Sequence, residues 1–141
     1  MNGVFVYEQK GYKVNLLPAD WIRNDKEGFD LFYFHRKLSA TVGLAVQCGR
    51  PTNASLKILT RHLLFGLSDK TILATRERKL SGISMLETLV SVRLGKTRVK
   101  MSLVVLKKGN CIYDLEYVAR PDVFDIGTAD FHRMVDSFAL M

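Results

Sequence analysis

Several stretches of the chain have a strand-like pattern, in most of which apolar and polar side chains alternate. These stretches are residues 4–8, 12–16, 29–37, 39–48, 71–79, 84–94 and 111–119. Gln9-Lys10-Gly11 separates the first two stretches, which predicts a hairpin near the start of the chain. Pro18 then forbids continuation of the second strand, and Trp21, the one tryptophan, follows it.

Turn chemistry predicts how the last strands pair. Gly95 and Lys96 suit a two-residue hairpin turn, and we expect a three-residue turn at 108–110. These turns set apolar residues opposite one another: Val92 with Val99, Val90 with Met101, Val105 with Tyr113, Leu103 with Leu115, and Met101 with Tyr117. The same register predicts a mixed second face, partly covered by a helix or loop, that carries Glu87, Lys100, Asp114 and Glu116.

Two segments change to helical spacing. In residues 49–69, Thr52 or Asn53 can cap a helix whose predicted core stripe consists of Leu56, Leu59, Leu63 and Leu67. Near the end, Thr128 can cap a helix whose apolar stripe consists of Phe131, Met134, Val135 and Phe138. Together the elements predict an α+β fold in one domain, 1–141, with a mostly antiparallel sheet of six to seven strands and packed helices.

The chain is basic, with 21 Lys and Arg against 14 Asp and Glu and a formal net charge of +7. Clustered cations predict a patch that attracts an acidic protein surface. The residues expected in this patch are Arg76, Arg78, Lys79, Arg93, Lys96, Arg98 and Lys100. Nucleic acid is a less favoured partner, because aromatic residues do not interleave with the basic ones.

No motif predicts catalysis, a metal or a cofactor. The two cysteines, Cys48 and Cys111, stand in no zinc-binding spacing, and we expect buried free thiols rather than a disulfide. The three histidines lie beside arginines and lack a nucleophile at a matching position, so we expect a protein that is not an enzyme. Asp114 and Glu116 on one strand face are expected to form surface ion pairs.

The compartment stays open at this stage. No apolar run reaches the length of about 18 residues that a membrane helix needs. The first ten residues lack the layout of a signal peptide, so the protein is either cytoplasmic or exported with its signal already removed.

Two segments carry a resemblance to a known family. The stretch YKVNLLPADW, 12–21, is similar to the Tyr-x-Val-x-Leu-Pro-x-x-Trp opening of the PsbP-like family, with Leu17 as one extra residue. The stretch DFHRMVDSF, 130–138, resembles that family's closing helix. The resemblance implies a PsbP-like fold over nearly all of the chain. It carries over no functional residue, because the family has no shared catalytic motif.

These observations predict a non-enzymatic module that docks onto a protein partner or assembly, and the resemblance points the same way, because the better understood relatives act by docking. Trp21 is expected to anchor one end of the sheet in the core. A small-ligand carrier or an enzyme is the alternative, with a cleft between sheet and helix near Trp21, Tyr33 and Tyr113. Homodimerisation through the outer sheet face is also open.

Overall fold

In a computed structural model, which describes residues 3–49 and 53–141, the chain forms ten strands and two α-helices. The strands are β1 (Val4–Tyr7), β2 (Tyr12–Asn15), β3 (Trp21–Arg23), β4 (Leu31–His35), β5 (Ala40–Gln47), β6 (Ser68–Leu80), β7 (Ile83–Leu94), β8 (Thr97–Lys108), β9 (Cys111–Ala119) and β10 (Ala139–Leu140). The helices are α1 (Leu56–Leu64) and α2 (Phe124–Ser137).

Seven strands form the main sheet in the order β3-β4-β5-β9-β8-β7-β6, and every neighbouring pair is antiparallel. The predicted α+β class and the mostly antiparallel sheet are therefore confirmed. The first hairpin lies outside this sheet, because β1 and β2 form a small second sheet with β10, which follows α2. The short strand β3, which begins at Trp21, was not predicted.

One face of the main sheet packs against α2 and the small sheet. Aromatic rings fill this core: the ring centroids of Tyr12 and Phe138 are 5.4 Å apart, and those of Tyr117 and Phe131 are 5.7 Å apart. Trp21 is buried here as predicted, and its indole N–H donates a 2.9 Å hydrogen bond to Asp130 of α2. The tryptophan therefore ties the start of β3 to the closing helix.

The opposite face packs against α1, which covers β7 and β8. Ser55 caps this helix by accepting a hydrogen bond from the Ile58 amide, whereas the predicted cap Asn53 precedes it and Thr52 lies outside the described residues. The expected stripe is partly wrong. Leu59 is buried, but Leu63 is 43% exposed and Leu64 takes the inward position, because the buried side of the helix consists of Leu59, Thr60 and Leu64.

The predicted pairing of β7 with β8 is confirmed, but that of β8 with β9 is wrong by one residue. Lys108 pairs with Cys111 across a two-residue turn, in which Gly109 takes a φ of 58° that suits such turns. Leu106 therefore lies opposite Tyr113, and Val105 lies opposite Asp114. Because side chains alternate between faces, this shift places Asp114 and Glu116 on the α1 face, opposite to Glu87 and Lys100.

The expectation of two buried free thiols is also wrong. Cys48 and Cys111 form a disulfide between the end of β5 and the start of β9. Cys48 is exposed and Cys111 is partly exposed, so neither belongs to the buried core. Strand alternation suggested an inward direction, but both cysteines lie at one end of the sheet, since Cys48 follows the last residue of β5 and Cys111 is the first residue of β9.

Candidate functional site

Strand register brings five of the seven predicted patch residues to one face of the sheet. Arg76 lies opposite Glu87 and Arg78 opposite Met85, on the face that carries α2. On the same face, Arg93 lies opposite Arg98 and Lys100 lies opposite Ser91. We call these residues the basic face: Arg76, Arg78, Arg93, Arg98 and Lys100. Lys79 pairs with Ser84 and points to the other face, and Lys96 lies in the β7–β8 turn.

Acidic groups hold most of the basic face in place. Glu87 pairs with both Arg76 and Arg78, each at 2.9 Å, and Arg78 also reaches Asp136 of α2 at 2.8 Å. Arg93 and Arg98 meet at Asp69, whose carboxylate pairs with Arg93 and whose backbone carbonyl accepts from Arg98. This shared partner explains how two arginines can face each other across neighbouring strands.

Lys100 differs from the arginines around it. Its ammonium group lies 5.0 Å from the centroid of the Phe124 ring and forms no ion pair within residues 3–49 and 53–141. A cation above an aromatic face is stabilised by the ring's electron density, but it keeps unused hydrogen-bond donors. Arg98 also forms no ion pair in the described part of the chain, but it donates to the Asp69 carbonyl and the Ser91 hydroxyl, so Lys100 is the basic-face cation whose donors are most available to bind an outside anion.

A cavity of about 380 Å³ opens between α2 and strands β6, β7 and β8. Its lining residues are Ala74, Thr75, Arg76, Glu87, Thr88, Leu89, Lys100, Ser102, Phe124, Asp125, Thr128 and His132. Of these residues the sequence analysis proposed Arg76 and Lys100 as site residues, and it placed Glu87 beside Lys100 on a face partly covered by a helix or loop, but it did not predict the cavity. One signal could have found part of it: Phe124, Thr128 and His132 recur at a spacing of four, which places them on one face of a helix.

The three residues of the predicted ligand cleft are buried in the aromatic core. Trp21 is held by Asp130, and the Tyr113 hydroxyl donates to the Lys10 carbonyl at 3.2 Å. Burial raises the pKa of Tyr33 and that of Tyr113. None of the three lines the cavity under α2. The ligand cleft at Trp21, Tyr33 and Tyr113 stays a prediction.

A pair of carboxyl groups lies on the α1 face of β9. Asp114 is 8% exposed, and burial raises its pKa to about 7, with further contributions from the charges of Glu116 and Asp30. Burial also raises the pKa of Glu116, although the charge of Lys26 lowers it. Within the described part of the chain, histidine, cysteine and acidic side chains form no group of three or more that could hold a metal ion.

The histidines are dispersed. His35 accepts a hydrogen bond from the Leu38 amide and contacts Trp21, His62 is exposed on α1, and His132 lines the cavity. Neither helix in the described ranges has both the length and the apolar character that crossing a bilayer requires.

Comparison with known proteins identifies the fold. No protein-family model matches the chain, and no curated protein matches it by sequence. The solution structure of cyanobacterial PsbP from Synechocystis superimposes with a TM-score of 0.76 over 99% of this chain and 92% of that one, at 14% identity. The fold is PsbP-like.

Two further solved structures share this fold. The mycobacterial protein LpqN, from Mycobacterium tuberculosis, aligns with a TM-score of 0.67 at 11% identity, over 100% of this chain and 91% of that one. A protein of unknown function from Pseudomonas aeruginosa aligns with a TM-score of 0.66 at 7% identity, over 99% and 97% of the two chains. At these identities the likeness establishes the architecture alone.

Proposed function

We propose that the protein is a non-enzymatic accessory module that docks onto an acidic surface of a protein partner through the basic face. One observation carries the proposal: the registers of β6, β7 and β8 gather five cations on one side of the sheet. A surface of one charge sign steers an oppositely charged partner and fixes its orientation.

The exposed edge strand of the sheet also supports the docking proposal. Strand β6 has a neighbour on one side only, and its residues 68–77 are all exposed. Among them Leu73 is 48% exposed, whereas Ile72, which is 54% exposed, lies opposite Val90 and therefore points to the α1 face. An edge strand without a second neighbour offers its backbone groups to a partner, and Arg76 and Arg78 of the basic face lie on this same strand.

The printed descriptions of the neighbours add a weaker argument. LpqN is described as involved in cell envelope biogenesis, and the PsbP-like resemblance of the sequence implies relatives that act by docking. Both suit an accessory role, although a shared fold by itself does not fix a function.

The test is capture of partners from a lysate of the source organism after nuclease treatment, with mass spectrometry of what is retained. The test variant carries Arg93→Glu and Arg98→Glu, and the matched control carries Arg36→Glu and Lys37→Glu at the exposed β4–β5 turn. We expect one protein whose retention falls at least about tenfold in the test variant and falls with added salt, but which the control retains.

Three results would overturn the proposal. One is equal retention by the test variant and the unchanged protein, and another is retention of nucleic acid alone when nuclease is omitted. The third is the absence of any retained protein at low salt. Circular dichroism of each variant tests whether it is folded, so that lost retention is not caused by unfolding after loss of the Arg93–Asp69 ion pair.

A further inference from the structure

We propose that the cavity between α2 and strands β6–β8 binds a small monocarboxylate with an apolar body, such as a short aliphatic or aromatic acid. This inference concerns a small-molecule site and does not rest on the docking function. The arguments come from the size of the cavity, its lining and its charge.

The size and the walls suit a small organic molecule. A volume of about 380 Å³ lies near the lower end of the range, about 300–1,000 Å³, in which proteins bind such ligands. Leu89 and Ala74 supply apolar surface that is open to a ligand, whereas Phe124 is 4% exposed and forms a fixed base beneath Lys100. A ligand with an apolar body would bury that body mainly against Leu89 and Ala74.

Two polar side chains of β8, Lys100 and Ser102, lie next to each other in the cavity lining. Lys100 and Ser102 lie two residues apart on β8 and therefore point to the same face, beneath α2. Within the described residues, the Ser102 hydroxyl makes no hydrogen bond and the Lys100 ammonium makes no ion pair. A carboxylate at this position would accept from both groups, and a charge-assisted bond to Lys100 would orient the ligand.

The balance of charge favours one negative charge rather than two. Arg76 is already paired with Glu87, which also pairs with Arg78, so Arg76 is less available than Lys100 to bind a carboxylate inside the cavity. Lys100 is then the one cation of the lining without a carboxylate partner among the residues described. Asp125 also lines the cavity and is exposed, so its negative charge opposes a second negative charge on a ligand.

The experiment is a titration followed by amide NMR spectra, with benzoate and hexanoate as the carboxylate probes. Benzamide is the neutral counterpart of benzoate, and inorganic phosphate is an anion without an apolar body. We expect saturable shifts at the amides of Lys100, Ser102, Phe124 and His132, with a Kd of about 0.1–1 mM for at least one acid. Benzamide and phosphate should bind at least about tenfold more weakly.

Two variants locate the site. Lys100→Gln should weaken binding of the acid at least about tenfold, because it removes the charge but keeps most of the side chain's length. Lys37→Gln, at an exposed turn residue away from the cavity, should leave the affinity unchanged. Thermal unfolding of both variants verifies that each is folded under the conditions of the titration.

Several outcomes would overturn the proposal. One is the absence of saturation by either acid up to about 10 mM, which would mean an affinity too weak for a specific site. Another is the appearance of saturable shifts at residues away from the cavity lining. Equal affinity of folded Lys100→Gln and the unchanged protein would exclude the orienting lysine. Phosphate binding as tight as that of the acids would exclude a role for the apolar wall.

Discussion

Asp114 is a carboxyl group in an environment that disfavours its charge. It is buried on β9 between Ala45 of β5 and Val105 of β8, which are directly opposite it on the two neighbouring strands. In the described part of the chain it accepts no hydrogen bond and forms no ion pair. Burial is therefore the main reason that its pKa rises to about 7, and the nearby charges of Glu116 and Asp30 add to the effect.

Stability should therefore decrease as pH rises through the pKa of Asp114. The folded-state pKa of about 7 exceeds the ordinary value of 3.8, so the folded protein binds the proton more tightly than the unfolded chain. The penalty is absent below about pH 4, grows as pH rises, and is complete above about pH 7. At about 1.4 kcal/mol per pKa unit its upper bound is about 4 kcal/mol.

Asp114→Asn removes this titration, and urea unfolding at several pH values measures the result. We expect the variant to gain stability relative to the unchanged protein as pH rises from about 4 to about 8, because only the carboxyl group becomes charged. Asp25→Asn, on the exposed loop before β4, controls for the loss of a surface carboxyl. A stability difference that is the same at both ends of the pH range would contradict the prediction.

At the scale of elements, α2 approaches β9 closely at one glycine. A Cβ placed on Gly127 would clash with the Tyr117 hydroxyl oxygen and would lie 3.0 Å from Tyr117 Cζ. The Tyr117 ring cannot easily move, because it is fully buried and its hydroxyl donates a 2.7 Å hydrogen bond to the Phe124 carbonyl. Gly127 is thus required for the packing of this helix, not for its conformation.

Gly127→Ala should destabilise the protein even though alanine is the better helix former. The gain in helix propensity is at most about 1 kcal/mol, whereas crowding a packed core costs about 1–3 kcal/mol. We expect a net loss of about 1–2 kcal/mol in the free energy of unfolding, measured by urea denaturation.

A double-mutant cycle with Tyr117→Phe separates crowding from other effects. Without the hydroxyl group, the alanine at position 127 has less to clash with, so its cost should fall by about 1 kcal/mol. Tyr117→Phe alone should cost about 1 kcal/mol, because the Phe124 carbonyl loses one of its donors and keeps the Thr128 hydroxyl. Strictly additive effects of the two substitutions would show that the close approach is not the cause.

The two turns of the last three strands show where sequence reasoning succeeds. Gly95-Lys96 admits one two-residue turn, and the register of β7 with β8 follows from it. At the next turn, Lys108 could belong either to the turn or to the strand, and we assigned it to the turn. Strands alternate with a period of two, so this single residue moved every side chain of β9 to the wrong face.

The pairing of β10 with β2 could not be predicted for a different reason. β10 has two residues, too few to show a period, and its partner lies more than 100 residues earlier in the chain. Such a pairing depends on where α2 ends after it has docked, and local sequence does not encode that position. The end of β2 before Pro18 and the presence of a closing helix were predictable from signals within a few residues. The predicted cap of that helix was wrong, because α2 begins at Phe124 and Thr128 lies inside it, where its hydroxyl donates to the Phe124 carbonyl.

At the scale of the whole molecule, the sheet carries a core on each face, one under α2 and one under α1. Arg76 and Lys100, which were predicted as site residues, both line the cavity. Its aromatic ring and hydroxyl groups were not predicted as site residues from the sequence. Phe124 belongs to α2 and Ser102 to β8, and their proximity depends on how α2 packs on the sheet, which local sequence does not encode. The positions of these cations were predicted from the sequence, whereas the cavity became visible only in the folded structure.

The Cys48–Cys111 disulfide constrains the whole chain, because it joins residues 63 positions apart and encloses α1 and strands β6, β7 and β8. A cross-link over such a loop restricts the unfolded ensemble and stabilises the folded state by about 2–4 kcal/mol. The doubly substituted variant Cys48→Ser, Cys111→Ser should therefore lose about that much stability. Its core should stay intact, because neither cysteine is buried.

Thermal unfolding with and without dithiothreitol tests this prediction. The reductant should lower the Tm of the unchanged protein by about 5–15 °C. It should leave the Tm of the doubly substituted variant unchanged, because no cross-link remains to be reduced. That variant is the matched control, since it separates cleavage of the disulfide from other effects of the reductant. Equal Tm values for the oxidised, reduced and substituted proteins would mean that the cross-link does not contribute to stability.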